Sequence, residues 1–278
     1  MSGELTGKLC VITGGTSGIG RATATILARA GASLVLVGRS AAHGREAAAA
    51  AKGAGAPAVD VLLGDLSERD EVRRIADQIL TRHPRVHALV NNAGALFLRR
   101  RLSADGVEMT WALNHLSYFL LTELLHDRLL ESAPARVVNV ASEAHASGFI
   151  KLDDPGRLTG ARAYQQSKLA NVLFTRSLAK RLQGAGVTVN AVHPGRVASG
   201  FGVNNGWIWR LVAPIVHRNT ITPEEAAIAV ARLVTDPQLN SVSGRYFDTG
   251  FEAAPAPQAM DDALAERLWR LSEQSTRV

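Results

Sequence analysis

Short apolar runs that do not alternate with polar residues recur along this chain. They are Leu9-Cys10-Val11-Ile12-Thr13, Leu34-Val35-Leu36-Val37, the stretch 59–63, the stretch 86–90, Arg136-Val137-Val138-Asn139-Val140 and the stretch 187–192. A strand that is apolar at nearly every position is buried on both faces, as in parallel sheets sandwiched between helices. Helical segments separate these runs: 18–30 behind a glycine-rich turn, the alanine-rich 41–51, then 67–82, 103–130 and 161–182. Ser67 with Asp70 offers a capping box for the third of them. Pro255 and Pro257 break the chain before a last helix. This alternation predicts an α/β fold, a doubly wound parallel sheet of about seven strands with helices on both faces. No internal repeat or low-complexity linker interrupts it, so residues 1–278 read as a single domain.

Composition narrows the classes. The chain is 46% hydrophobic and 20% charged, with mean hydropathy +0.04, which excludes dominant disorder. No uncharged apolar run approaches the ~20 residues of a membrane span, and residues 1–8 lack the apolar stretch of a signal peptide. The lone Cys10 excludes an internal disulfide and a cysteine metal cluster, and no metal is expected. These features predict a reducing, cytoplasmic setting. The net charge of +6 raises the question of nucleic acid. Basic residues are scattered apart from Arg99-Arg100-Arg101, without interleaved aromatics, so no nucleic-acid partner is expected. A positive field favours a phosphorylated ligand instead.

Thr13-Gly14-Gly15-Thr16-Ser17-Gly18-Ile19-Gly20 joins the first strand to the first helix. Glycines there let the backbone approach a diphosphate, and the helix N-terminus presents N–H groups and a positive dipole end to it. The spacing Gly-x-x-x-Gly-x-Gly, together with Asn91-Asn92-Ala93-Gly94, Tyr164-Gln165-Gln166-Ser167-Lys168 and His193-Pro194-Gly195, resembles the short-chain dehydrogenase/reductase family over nearly the whole chain. Asn114-His115-Leu116, Phe119-Leu120-Leu121-Thr122 and Ser167-Lys168-Leu169-Ala170-Asn171-Val172-Leu173-Phe174 resemble its retinol dehydrogenase-like branch. Ser243-Gly244-Arg245-Tyr246-Phe247 and Ala265-Glu266-Arg267-Leu268-Trp269 extend that likeness. The resemblance implies a Rossmann-type fold and hydride transfer between a nicotinamide cofactor and a carbonyl–alcohol pair. Vertebrate members of the branch often carry an N-terminal membrane anchor; this chain starts at the first strand, and none is expected.

By the same resemblance the cofactor is held by Gly14, Thr16, Ser17, Gly18, Ile19 and Gly20. Asp65 and Leu66 would meet the adenine, and Asn91, Ala93 and Gly94 would run beside the cofactor. Pro194, Gly195, Val197 and Ser199 would face the nicotinamide. Gly38 stands where an NAD-selective site usually has a carboxylate for the ribose 2′-hydroxyl. Arg39 follows and can grip a 2′-phosphate through paired, charge-assisted hydrogen bonds, so NADP(H) is the expected cofactor. Thr16 can add its hydroxyl. Tyr164 and Lys168 are four apart in a helical stretch and share one face. A phenol ordinarily titrates near ~10, and a neighbouring ammonium favours its ionised form. Ser142 follows the fifth strand, at the end of the sheet where ligands lie. The resemblance makes Ser142 a hydrogen-bond donor to the substrate oxygen and Lys168 a partner of the nicotinamide ribose. It makes the Asn114 side chain a holder of a relay water beside Lys168.

The stretch 201–218 is dense in apolar residues, including Trp207 and Trp209. It is expected to form a substrate lid over about 199–222, with Leu96 and Phe97 on the opposite wall, suiting a lipophilic carbonyl or alcohol. The competing reading is an interface, for a homo-oligomer or a membrane surface. A sugar-nucleotide epimerase or dehydratase can share the tyrosine–lysine pair, but the glycine spacing and the short C-terminal region oppose it. A non-catalytic NADP(H)-binding sensor has no need of Asn114, Ser142, Tyr164 and Lys168 together.

Overall fold

The computed structural model describes residues 4–197 and 220–277. Its strands are β1 (Leu9–Thr13), β2 (Ser33–Gly38), β3 (Val59–Leu63), β4 (Ala88–Asn91), β5 (Ala135–Val140), β6 (Val187–His193), β7 (Tyr246–Asp248) and β8 (Phe251–Ala253). They form one sheet in the order β3-β2-β1-β4-β5-β6-β7-β8. All neighbours pair in parallel except β7 and β8. The seven parallel strands meet the expectation; the antiparallel edge strand β8 is additional. Thr249 and Gly250, both with positive φ, form the two-residue turn that folds β8 back.

Successive residues of each strand point to opposite faces, and both faces are covered. Cys10, Ile12, Leu34 and Leu36 enter one core cluster with Ala24 and Leu27 of α1 (Gly18–Arg29) and Ala47 of α2 (Ala41–Gly53). Val11, Val35 and Val37 enter another with Ile75 and Ile79 of α3 (Arg69–Arg82). This explains the absence of polar alternation in the sequence.

Two helix starts differ from expectation. Ser67 does not cap α3, because its hydroxyl donates to Asp65 Oδ1 at 2.7 Å, and the helix begins at Arg69. The stretch 103–108 is a turn with Gly106 at positive φ, and helix begins at Met109, where the buried Glu108 carboxylate accepts the Trp111 N–H at 2.8 Å. That stretch continues as α4 (Met109–Trp111), a π-turn (Ala112–Leu116), α5 (Ser117–Leu124) and, past a break, α6 (His126–Glu131).

The strand order reverses between β1 and β4. At such a switch point the loops after the two strands diverge and leave a crevice at their carboxyl ends. The cleft lies there.

Candidate active site

The cleft has a volume of about 860 Å³. One end is the glycine turn. Gly14 has φ +65, and a Cβ there would lie 2.9 Å from Asn92 Nδ2. A Cβ on Gly20 would lie 2.2 Å from the Gly14 carbonyl oxygen, so only glycine lets α1 start so close to the turn. Ser17 makes no side-chain capping bond to α1, which leaves first-turn N–H groups to a ligand. Thr16, Ser17, Gly18 and Ile19 line the cleft. This cradle fits a dinucleotide diphosphate.

The ribose end is formed by Gly38, Arg39 and His43, beside Gly64 and Leu66. A Cβ on Gly38 would lie 2.3 Å from Thr16 Oγ1, so Thr16 occupies the space that a side chain at position 38 would need. Arg39 is exposed and reaches Asp65 at 3.6 Å, a loose pair that contributes little in water.

At the other end Ser142, Tyr164 and Lys168 converge. Tyr164 and Lys168 stand one turn apart on α7 (Gly160–Arg181). Ser142 ends the loop after β5, where its Oγ accepts the Ala144 N–H at 3.2 Å and hydrogen-bonds with the Tyr164 side chain. Burial pushes the Tyr164 phenol up to about 12; the Ser142 hydrogen bond opposes this and the Glu143 charge adds to it. Lys168 Nζ donates to the Val140 carbonyl at 2.8 Å and lies 5.6 Å from the Tyr164 ring centroid. Burial pushes its ammonium down to about 7. Desolvation therefore outweighs the expected lowering of the phenol by the lysine: both groups are pushed toward their neutral forms. Such a constellation can donate hydrogen bonds and a proton to an oxygen at the mouth of β5.

Residues 8–206 match the family model described as short chain dehydrogenase. This chain belongs to the short-chain dehydrogenase family. Retinol dehydrogenase 13 of Homo sapiens is 40% identical over 276 residues, spanning 95% of this chain and 82% of that one. Retinol dehydrogenase 12 of Bos taurus is 42% identical over 281 residues, spanning 97% and 86%. Among solved structures, the RhlG/NADP active-site complex of Pseudomonas aeruginosa superposes with a TM-score of 0.73 at 29% identity, covering 90% of this chain and 99% of that one. A Mycobacterium paratuberculosis crystal structure reaches 0.78 at 32% identity, covering 99% and 95%. The protein is thus an oxidoreductase of the retinol dehydrogenase-like branch, which interconverts carbonyl and alcohol with a nicotinamide cofactor.

In this short-chain dehydrogenase most expected residues line the cleft: Ala93, Gly94, Pro194, Gly195 and Val197 join those above. Five of the described residues do not act as expected. Asn91 is fully buried, and its amide donates to Asn139 Oδ1 at 2.9 Å and Thr122 Oγ1 at 3.0 Å, tying β4 to β5 and α5. Its neighbour Asn92 faces the cleft instead and pins the Thr13 carbonyl at 2.9 Å. The Asn114 amide donates to Ala95 O and Ser167 Oγ, while its Oδ1 accepts the Ala95 N–H at 2.9 Å. Those bonds clamp the loop beside Gly94, so the side chain positions the wall rather than standing open to a relay water. Asp65 Oδ1 is turned to Ser67 and not into the cleft, between the lining residues Gly64 and Leu66. Phe97 is buried in the core, and neither it nor Leu96 lines the cleft. Ser199, Trp207, Trp209 and most of the expected lid lie outside the described residues. The sequence reading missed Glu143 and Arg196, paired across the rim at 2.5 Å, because neither belongs to a recognisable motif. Among the described residues there is no metal-binding cluster, and no helix is long and apolar enough to cross a membrane.

The lysine carries a pH signature. Its folded value, about 7, lies below the ordinary 10.5. Between about pH 7 and pH 9 the unfolded chain therefore holds a proton that the folded protein lacks, and stability rises with pH. Urea unfolding of cofactor-free protein across that range should show this gain, and Lys168→Met should diminish it. Equal slopes in the two proteins would rule it out.

Proposed function

We propose that the enzyme transfers hydride reversibly between NADP(H) and a lipophilic carbonyl–alcohol pair. The observation that carries this reading is the Ser142–Tyr164 hydrogen bond, set over Lys168 in the cleft that the glycine turn opens. Bound in the cleft, the nicotinamide supplies or accepts the hydride. In reduction, negative charge grows on the substrate oxygen. The Ser142 hydroxyl donates a hydrogen bond to it and Tyr164 gives it the phenolic proton; in oxidation Tyr164 takes that proton back. As the phenolate forms it favours the protonated form of Lys168, whose ammonium, held by the Val140 carbonyl, then stabilises it. The donors are fixed before the substrate arrives, so little reorganisation is needed during the reaction.

NADP(H) is favoured by Arg39 at the ribose end and by Thr16, which fills the place of an NAD-type carboxylate at position 38. A likeness to a structure described as an NADP complex agrees with it. The lipophilic substrate is supported by the relatives' name, retinol dehydrogenase, and by the apolar sequence of 201–218. The test is a series of aldehydes, ketones and alcohols of increasing apolar length, followed by NADPH absorbance with NADH alongside. Turnover should favour NADPH and rise with apolar length. Tight NADPH binding without turnover of any member would make the protein a sensor and overturn the proposal.

A further inference from the structure

The turn that carries Ser142 is fastened to a part of the chain more than a hundred residues away. His145, three residues beyond Ser142, lies in the 3-10 turn Glu143–Ser147 and is 4% exposed. Its Nδ1 lies 2.8 Å from the Ser142 main-chain oxygen, and its Nε2 lies 3.1 Å from the Ala256 main-chain nitrogen. A carbonyl only accepts and an amide N–H only donates. The ring is therefore neutral, with its proton on Nδ1, donating to Ser142 and accepting from Ala256. Burial keeps the imidazole below the ordinary histidine range, in agreement with that form. The ring also packs on Tyr246, centroid to centroid at 4.6 Å. Gln258 Nε2 donates to the Ala146 carbonyl at 2.8 Å and closes the same clamp one turn further on. Ala256 and Gln258 lie beyond residue 206, where the match to the family model ends.

We infer that His145 is a positioning residue for the hydride-transfer site. Anchored on the Ala256 N–H, it holds the Ser142 main chain so that the Ser142 hydroxyl meets Tyr164. This rests on the proposed role of Ser142 at the reacting oxygen. The sensitivity is steep: misplacing a catalytic group by about 1 Å can cost about a hundredfold in rate. Neither contact of His145 reaches the cofactor cradle, so loss of the clamp acts on turnover and not on cofactor affinity.

Four variants test this in the full-length enzyme. His145→Phe keeps the aromatic packing on Tyr246 and removes both hydrogen bonds. His145→Asn keeps an amide donor near the place of Nδ1. Ala256→Pro replaces the N–H that Nε2 accepts with a ring carbon and so expels the imidazole from its anchor, at a φ of −58 that proline adopts without backbone strain. Ser142→Ala is the reference. His145→Phe and Ala256→Pro should each lower kcat by about tenfold, with NADPH affinity within about twofold of wild type, and His145→Asn should recover most of the loss. Wild-type kcat in His145→Phe and Ala256→Pro, with Ser142→Ala inactive, overturns this inference alone. So does a loss that weakens NADPH binding in parallel, or that asparagine does not relieve. Wild-type kcat in Ser142→Ala would instead remove the role of Ser142 on which the inference stands. If His145→Phe fails to fold, Ala256→Pro, which leaves residue 145 unchanged and breaks the anchor from the other side, still decides between these outcomes.

Discussion

Tyr164→Phe should reduce turnover by about a hundredfold or more while NADPH binds within about twofold of wild type. The substitution removes one hydroxyl and leaves the ring on α7. Its two neighbours do not replace that hydroxyl as the proton carrier: Ser142 donates a hydrogen bond, and Lys168 points to the Val140 carbonyl. With its phenol pushed up to about 12, Tyr164 rests in the protonated form, ready for the reduction direction. The diphosphate cradle, built from backbone at Gly14–Gly20, does not sense the change. Fluorescence titration with NADPH and single-turnover kinetics with a confirmed substrate separate the two effects. Near-normal turnover in the purified variant would falsify the assignment of Tyr164.

Arg39→Ser should weaken NADPH binding by about tenfold to a hundredfold and leave NADH binding nearly unchanged, since a hydrogen bond to a charged group contributes about 1.5–3 kcal/mol. Little is lost with the Asp65 contact, which is long and exposed. The structure adds a second part. Gly38→Asp should not by itself create an NADH site, because its Cβ would meet Thr16 at 2.3 Å. Thr16 is β-branched and has few rotamers to escape into. Adding Thr16→Gly should make room for the carboxylate and raise NADH affinity while repelling the 2′-phosphate. Titration of both cofactors against these variants checks the series. An unchanged preference in Arg39→Ser would move selectivity elsewhere.

The parts of the site that were legible in the sequence are those set by short-range geometry. Tyr164 and Lys168 share a helix face whatever packs around them. The glycine turn follows from steric limits within eight residues, and both-face burial of the strands follows from their continuous apolar composition. Asn91 and Asn92 show where this stops. Two adjacent asparagines at a strand end point to opposite sides, and strand register decides which meets the ligand. Phe97 likewise read as a wall of the substrate site, yet packing turned it into the core.

By itself the sequence determined the doubly wound sheet, the place of the cofactor turn and the tyrosine–lysine pair, because each rests on backbone sterics or on the periodicity of a single element. The tertiary structure alone decided which polar side chains face the cleft and which support it. Asn114 clamps Ala95 across 19 residues, Thr16 fills the space beside Gly38, and His145 meets Ala256 across 111. The residues between such partners do not encode these contacts. They form because a buried polar group must find its hydrogen-bond partner among whatever the packed elements bring within reach.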